Sequence, residues 1–154
     1  TPAFLPGLNQ EYGGIIRHGA KMLYAYSAAT VPMVTIILRK AYGGGWSAMG
    51  PKELGIDLVY AWPTAECASM GPEGAAEVIW AKEIQNSPDP VAARKKFVEE
   101  YDTHFANPYL AGALRVIDDV IYPAETRLKI VSALKMLEKK DKPRLPKEHG
   151  IMPI

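Results

Sequence analysis

Apolar positions along this chain follow two periods, and together they predict short strands separated by amphipathic helices. Two largely apolar runs, at residues 33–38 and 57–62, are short and rich in β-branched or aromatic residues, which is typical of strands covered on both faces. A third run at 116–121 has the same character. Since helices alternate with these runs, the pattern predicts an α/β domain with mostly parallel strand pairing.

Helical spacing covers most of the chain between the strand candidates. Helices are predicted at 9–30, 45–49, 75–84, from 90 to about 105, and from 123 to about 140. Asn9 and Asp89 are the predicted N-caps of the first and fourth of them. In the last helix, Ile130, Leu134 and Leu137 are predicted to face inward. Turns are predicted at 63–66, 70–74 and 107–112, a proline-rich tail follows at 142–154, and no internal repeat is visible at solenoid periods.

Three consecutive glycines, Gly43, Gly44 and Gly45, form the most distinctive local feature. They follow the run at 33–38 and precede residues able to start a helix, so they predict a strand-to-helix turn. Glycine lets a ligand approach the backbone, and the first amides of a helix lack internal partners and lie at its positive end. Such amides can stabilise an oxygen that becomes negative. The spacing matches neither the phosphate-binding loop nor the dinucleotide fingerprint, so an oxyanion site and a structural turn both stay open.

The turns that follow the first two predicted strands are expected to converge. Carboxyl ends of parallel strands lie at one edge of a sheet, which places the segments after Leu38 and Trp62 on the same side. Glu66, in the second segment, either orients a ligand or caps the next helix, and capping is the favoured interpretation. Ser47 is predicted to face the site entrance without being an activated nucleophile. Cys67 is interpreted as a small buried residue.

Composition narrows the function classes. The chain has 154 residues, 48% hydrophobic and 23% charged, with a formal net charge of +1, which predicts one globular domain and no nucleic-acid binding. One cysteine and three histidines give no metal-site spacing and no internal disulfide. We expect no membrane insertion and a reducing, cytoplasmic location. Because the first residue is Thr1, in a segment typical of a loop, the chain is expected to begin inside a longer polypeptide.

Several separate motifs, in this order, resemble the C-terminal part of the carboxyltransferase β subunit of biotin-dependent acyl-CoA carboxylases. They are FLPG at 4–7, EYGGIIRHGAK at 11–21, RKAYGG at 39–44, YAWPTAE at 60–66, MG at 70–71 and PKEHG at 146–150. The branch that contains propionyl-CoA carboxylase and methylmalonyl-CoA carboxyltransferase is most similar. The resemblance implies a crotonase-like (ClpP/crotonase) ββα superhelix. Residues 1–154 would be an incomplete C-terminal carboxyltransferase domain, on the biotin side, without the N-terminal CoA-binding domain.

The resemblance also implies a reaction and a site. A carboxyl group would move between carboxybiotin and the α-carbon of a short-chain acyl-CoA, with propionyl-CoA as the expected substrate. The backbone amides of Gly44 and Gly45 would stabilise the negative oxygen of biotin once CO₂ leaves. The family usually has alanine at the position of Gly45, and the family position associated with acyl-chain preference falls on Ser47. The residues that would line or support the biotin pocket are Tyr42, Gly43, Ser47, Trp62, Pro63, Met70 and Gly71.

Partners follow from the same resemblance. Biotin would arrive on a biotin carboxyl carrier protein that a biotin carboxylase subunit loads. The complete subunit would form a homo-oligomer, a hexamer, in which N- and C-terminal domains of different subunits meet, and this chain alone would be inactive. Two alternatives stay open: the carboxyltransferase subunit of a sodium-pumping methylmalonyl-CoA or glutaconyl-CoA decarboxylase, and a non-catalytic assembly module or fragment.

Overall fold

The computed structural model describes residues 1–143, so the motif at 146–150 and most of the predicted tail lie outside the described residues. The strands are β1 (Val34–Ile37), β2 (Lys40–Tyr42), β3 (Leu58–Ala61), β4 (Glu66–Ala68) and β5 (Asp119–Val120). The helices are α1 (Leu8–Tyr12), α2 (Ile15–Ala28), α3 (Gly43–Ala48), α4 (Pro72–Ile79), α5 (Ala81–Gln85), α6 (Pro90–His104), α7 (Pro108–Ala113) and α8 (Thr126–Met136). Short 3₁₀ turns lie at Lys52–Leu54 and Pro123–Glu125.

Two successive ββα units form the centre of the fold. The first consists of β1, β2 and α3, and the second of β3, β4 and α4. Each strand of the first unit pairs in parallel with the equivalent strand of the second, β1 with β3 and β2 with β4, and β5 extends the first sheet beside β3. This stacking confirms the predicted parallel pairing and the ββα superhelix. The repeat is structural and leaves no sequence period to detect.

The β2–β4 pair separates two hydrophobic clusters. Side chains alternate across a strand, so Ala41 and Cys67 face one cluster, which includes the fully buried Val59. Tyr42 and Ala68 face the other, together with residues of α4 and α6. A third cluster packs α8 against β3 around Ile121, of which only 1% is exposed. The end of β2 is therefore held from both faces.

Helix prediction was correct at the start of α6, where local chemistry marks the boundary. Asp89 caps α6, because its carboxylate accepts hydrogen bonds from the backbone N–H groups of Val91 and Ala92. The predicted helix at 75–84 instead ends at Ile79, and a second helix starts after Trp80. In α8 the buried inward residue is Ala133, whereas Leu134 is 47% exposed, so the predicted inner face was partly wrong.

Other expectations were wrong, and two strands were missed. The helix predicted at 9–30 breaks at Gly14, which adopts a left-handed conformation (φ 79°) that glycine tolerates, and Gly7 rather than Asn9 is the N-cap of α1. The turn predicted at 107–112 is helix α7, whose N-cap Asn107 accepts a hydrogen bond from Leu110 N–H. Strands β2 and β4 were not predicted, because three residues are too few to show a period. Within residues 1–143, no helix is both long and apolar enough to cross a bilayer.

Candidate functional site

The three glycines begin α3 directly after β2. Tyr42 is the extended N-cap residue (φ −115°, ψ 134°), and within the described chain no side chain caps this helix start. The first N–H groups of a helix have no intrahelical acceptors and carry the positive end of its dipole. Gly44 is exposed at this end, whereas Gly45 is buried. The predicted strand-to-helix turn is therefore present, with bare amides at its start.

Glycine is required at the first position of the turn. Gly43 has a φ of 49°, and a Cβ added there would lie 2.8 Å from the carbonyl oxygen of Ser69, in the segment after β4. The same two segments are also joined before the turn, because Glu66 N–H donates to Arg39 O at 2.8 Å. The turns after the first and second predicted strands thus meet, as the parallel topology predicted.

The N-terminal segment forms one wall of the turn. The backbone N–H of Tyr42 donates to Thr1 O at 3.1 Å, and the ring of Phe4 lies 3.6 Å from the position that a Cβ at Gly44 would occupy. At Gly45 an added Cβ would lie only 3.0 Å from the carbonyl carbon of Ala3. Alanine at position 45 therefore requires residues 1–3 to shift, whereas Gly44 has room on its exposed side.

A cavity of about 300 Å³ adjoins the turn. Its walls include Gly43, Trp46, Ser47, Leu54 and Ser69, and most of the lining is apolar. The hydroxyl of Ser47 donates to Gly43 O at 3.2 Å, one helical turn back. Ser47 lines the cavity, and its proton is already held by the backbone.

The remaining predicted site residues separate into two groups. Tyr42 and Gly71 pack together, because a Cβ at Gly71 would lie 3.5 Å from the Tyr42 ring, and Met70 is 39% exposed beside them. Trp62 contacts a different part of the fold: its indole N–H donates to Thr126 Oγ1 of α8 at 2.9 Å, and its ring packs in the third cluster. Pro63 lies in the turn after β3. The structure groups Tyr42 and Gly71 with the glycine turn but gives Trp62 other contacts.

Glu66 does not cap a helix, so the favoured interpretation of this residue was wrong. It lies in β4, where its carboxylate accepts a hydrogen bond from the Tyr42 hydroxyl and lies 3.8 Å from the Arg39 guanidinium. Burial, followed by the hydrogen bond to Glu66, raises the pKa of Tyr42. Tyr42 is therefore a protonated donor at neutral pH. Sequence reasoning missed this contact, because it depends on the register between two strands that show no period.

Cys67 is buried beneath the site, and its thiol is unreactive. It is 5% exposed, and burial raises the pKa of its thiol to about 11. The thiolate is the nucleophilic form of cysteine. A thiol that stays protonated at neutral pH fits the predicted role of a small buried residue.

Comparison with known proteins identifies the family. Residues 1–152 match the carboxyl transferase domain. The chain belongs to this family. It is 60% identical, over 99% of its length, to the methylmalonyl-CoA carboxyltransferase 12S subunit of Propionibacterium freudenreichii subsp. shermanii, of which it covers 29%. It is 57% identical over its whole length to the methylmalonyl-CoA decarboxylase subunit alpha of Propionigenium modestum and covers 30% of that protein.

Solved structures show the same fold. A crystal structure of transcarboxylase 12S, described as a hexamer with methylmalonyl-CoA bound, superposes with a TM-score of 0.94 at 59% identity, over 99% of this chain and 29% of that one. The β subunit of geranyl-CoA carboxylase from P. aeruginosa has a TM-score of 0.79 at 24% identity, covering 99% of this chain and 30% of that one, which supports the fold alone. The carboxyl transferase chain described here thus has the crotonase-like fold. It spans about 30% of the length of the curated relatives it matches.

Proposed function

We propose that this chain is the biotin-side part of a carboxyltransferase that moves a carboxyl group between carboxybiotin and the α-carbon of a short-chain acyl-CoA. The observation that carries the proposal is the bare glycine turn at the start of α3, within a chain of this family. Relatives named for methylmalonyl-CoA and propionyl-CoA support these acyl groups as substrates.

The chain's own residues fit this role. Biotin, when bound, supplies a ring nitrogen that carries the carboxyl group. The exposed Gly44 follows Gly43, which lines a mostly apolar cavity of about 300 Å³, and this arrangement fits a small ring with one polar edge. We propose that the N–H groups of Gly44 and Gly45 donate to the oxygen that becomes negative during transfer. Loss of one such donor typically costs about 3 kcal/mol of transition-state stabilisation.

The side chains around the turn would then bind and shield the ring. Gly43 sets the direction of the turn, Ser47 lines the adjoining cavity, and Gly71 supports the Tyr42 ring. We also propose that three further residues line or support the biotin pocket: Met70, Trp62 and Pro63. Trp62 is the weakest member, because its indole N–H is bonded to α8.

The domain assignment is part of the proposal. We propose that residues 1–154 are the C-terminal portion of a carboxyltransferase domain, as the motif resemblance implies. Because the chain spans about 30% of its relatives, we also propose that acyl-CoA binds elsewhere in the complete enzyme. A hexameric homo-oligomer, a biotin carboxyl carrier and a biotin carboxylase subunit are the proposed partners. The hexameric transcarboxylase 12S structure supports the first of these. A cytoplasmic location is also proposed, in line with the single free cysteine.

Biotin-dependent decarboxylation tests the proposal. The complete protein that contains this chain is incubated with methylmalonyl-CoA and free biotin, and propionyl-CoA formation is measured by chromatography. Propionyl-CoA is expected to form only when biotin is present. An intact mass measurement first establishes which polypeptides the preparation contains. Equal rates with and without biotin, or no product with a complete subunit, would contradict the carboxyltransferase role and favour an assembly module.

The decarboxylase alternative has one specific observation in its favour. The chain is 57% identical to the methylmalonyl-CoA decarboxylase subunit alpha of Propionigenium modestum, which is close to the 60% identity with the carboxyltransferase. The same glycine turn serves carboxyl transfer in either direction. Purification of the native complex separates the two functions: a biotin carboxylase subunit supports the leading proposal, and a membrane-bound partner with sodium-dependent turnover supports the alternative.

A further inference from the structure

Tyr42 and Glu66 share one face of the β2–β4 pair. Lys40 lies opposite Glu66 and Tyr42 lies opposite Ala68 in the parallel register, so Tyr42 and Glu66 are diagonal neighbours. Diagonal positions are within reach of long and aromatic side chains. The Tyr42 hydroxyl donates to the carboxylate of Glu66 across this diagonal. The bond thus joins the last residue of β2 to the first residue of β4.

The position of Tyr42 makes this bond important for the glycine turn. Tyr42 is the N-cap of α3, and the next residue, Gly43, begins the turn in a conformation with φ of 49°. The Tyr42 side chain is only 5% exposed, and its ring lies against Gly71. A buried ring with a bonded hydroxyl has one orientation. Tyr42 therefore fixes the start of the backbone segment that directs the amides of Gly44 and Gly45.

The charges around Tyr42 keep its hydroxyl a donor. Glu66 of β4, Asp102 of α6 and Glu73 of α4 are the negative groups that face it, and Lys40 of β2 lies 5.8 Å from the ring centroid. The Arg39 guanidinium is 3.8 Å from Glu66 but largely exposed, and such surface pairs contribute little. The hydrogen bond from the Tyr42 hydroxyl is consequently the main contact that orients the Glu66 carboxylate.

We propose that the Tyr42–Glu66 pair positions the backbone amides of the glycine turn for carboxyl transfer. This role rests on the proposed function, and neither side chain needs to touch the substrate. The bond is one contact between two strands that are also joined by their backbone ladder. Loss of the pair is therefore expected to release the turn without unfolding the ββα units. A misplacement of about 1 Å lowers turnover by as much as about 100-fold.

Amide hydrogen exchange of the complete protein provides the readout that is independent of activity. Tyr42→Phe and Glu66→Ala each remove the bond, and the amides of residues 46–48, which are hydrogen-bonded within α3, are expected to exchange about tenfold faster or more in both variants. Glu66→Gln keeps an oxygen that accepts the hydroxyl, so it is expected to exchange at the wild-type rate. Tyr101→Phe is the matched control, because Tyr101 is 8% exposed in the same hydrophobic cluster and lies on α6.

Kinetics with methylmalonyl-CoA and free biotin separate a positioning role from general destabilisation. For Tyr42→Phe and Glu66→Ala we expect kcat to fall about 10- to 100-fold, with KM for the acyl-CoA unchanged within about twofold. The double variant is expected to match the single variants, because the pair acts as one unit. Glu66→Gln and Tyr101→Phe are expected to retain wild-type kcat.

The outcomes are distinguishable from failure of the proposed function. A wild-type protein without biotin-dependent activity overturns the proposed function and, with it, the positioning role. With an active wild type, wild-type exchange and kcat in Tyr42→Phe overturn the inference. Equal losses in Glu66→Gln and Glu66→Ala also overturn it, because they assign the effect to the charge of Glu66 rather than to the bond.

Discussion

The two ββα units have the same order of elements but opposite chemistry at the turn between the second strand and the helix. In the first unit three glycines begin α3, whereas in the second Pro72 and Glu73 begin α4 after Gly71. Proline has no N–H to donate, and glutamate places a negative charge at the helix start. The first turn therefore suits an anionic oxygen better than the second. The scaffold is shared, so under the proposed function a few turn residues decide which unit carries chemistry.

The second unit supports the first instead of duplicating it. Its helix α4 buries Ala75 and Ala76 completely and packs against α6. Its turn brings the carbonyl of Ser69 beside Gly43 and Gly71 beside the Tyr42 ring. Stability and site geometry are thus divided between equivalent positions of the two units.

The largest predicted effect comes from giving the first turn the charge of the second. Gly44→Asp places a carboxylate beside the proposed oxyanion amides, and we expect the biotin-dependent rate to fall at least about 100-fold. Folding is not expected to suffer. An added Cβ has ordinary contact with Phe4 at 3.6 Å, and an acidic residue in the first turn stabilises a helix by about 0.3–1 kcal/mol.

Two variants make this experiment specific. Gly44→Ala adds the Cβ without the charge and is expected to keep most of the activity, since the amide remains. Glu73→Gln removes the corresponding charge from the second turn and is expected to leave the rate unchanged. Full activity in Gly44→Asp, measured by propionyl-CoA formation, would show that the turn does not face a developing negative charge.

The next effect concerns stability and distinguishes a required glycine from a replaceable one. Gly43→Ala combines a φ of 49° with a Cβ 2.8 Å from Ser69 O, so we expect a loss of about 1–3 kcal/mol in the free energy of unfolding. Gly74→Ala in α4 meets nothing within 4 Å and is expected to add about 0.5–1 kcal/mol. Urea denaturation of both variants measures the difference. Equal stabilities would mean that the backbone relaxes at Gly43 without cost.

The same contrast explains what the sequence could predict. The glycine turn was predictable because its chemistry is local, and so was the Asp89 cap, whose side chain bonds two amides within three residues. The runs at 33–38 and 57–62 were recognisable because strands covered on both faces are apolar throughout. Strands β2 and β4 were not, since each has three residues and the polar ends Lys40 and Glu66.

The supporting contacts were not predictable for a different reason. The bond between Tyr42 and Glu66, and the approach of Ser69 to Gly43, join residues far apart in sequence through a register that only the folded sheet defines. Each residue taken alone also fits another structural role, such as the helix cap predicted for Glu66. Sequence chemistry therefore located the turn, whereas the contacts made around it by distant residues required the structure.

The smallest predicted effect is a pH dependence that belongs to the first unit. The pKa of Tyr42 is raised by burial and by Glu66, so its contribution to stability is complete below the unfolded value of about 10 and is lost as pH rises above it. We expect this loss to be about 1 kcal/mol or less near pH 11, measured by urea denaturation of the wild type and Tyr42→Phe across pH 9–11.5. Cys67 and Tyr101 have raised pKa values too and give a decline of the same sign in both proteins. The difference between the two curves therefore isolates Tyr42. Parallel curves would mean that its hydroxyl ionises as easily in the folded as in the unfolded chain, and the first turn would then lack the bonded anchor that distinguishes it from the second.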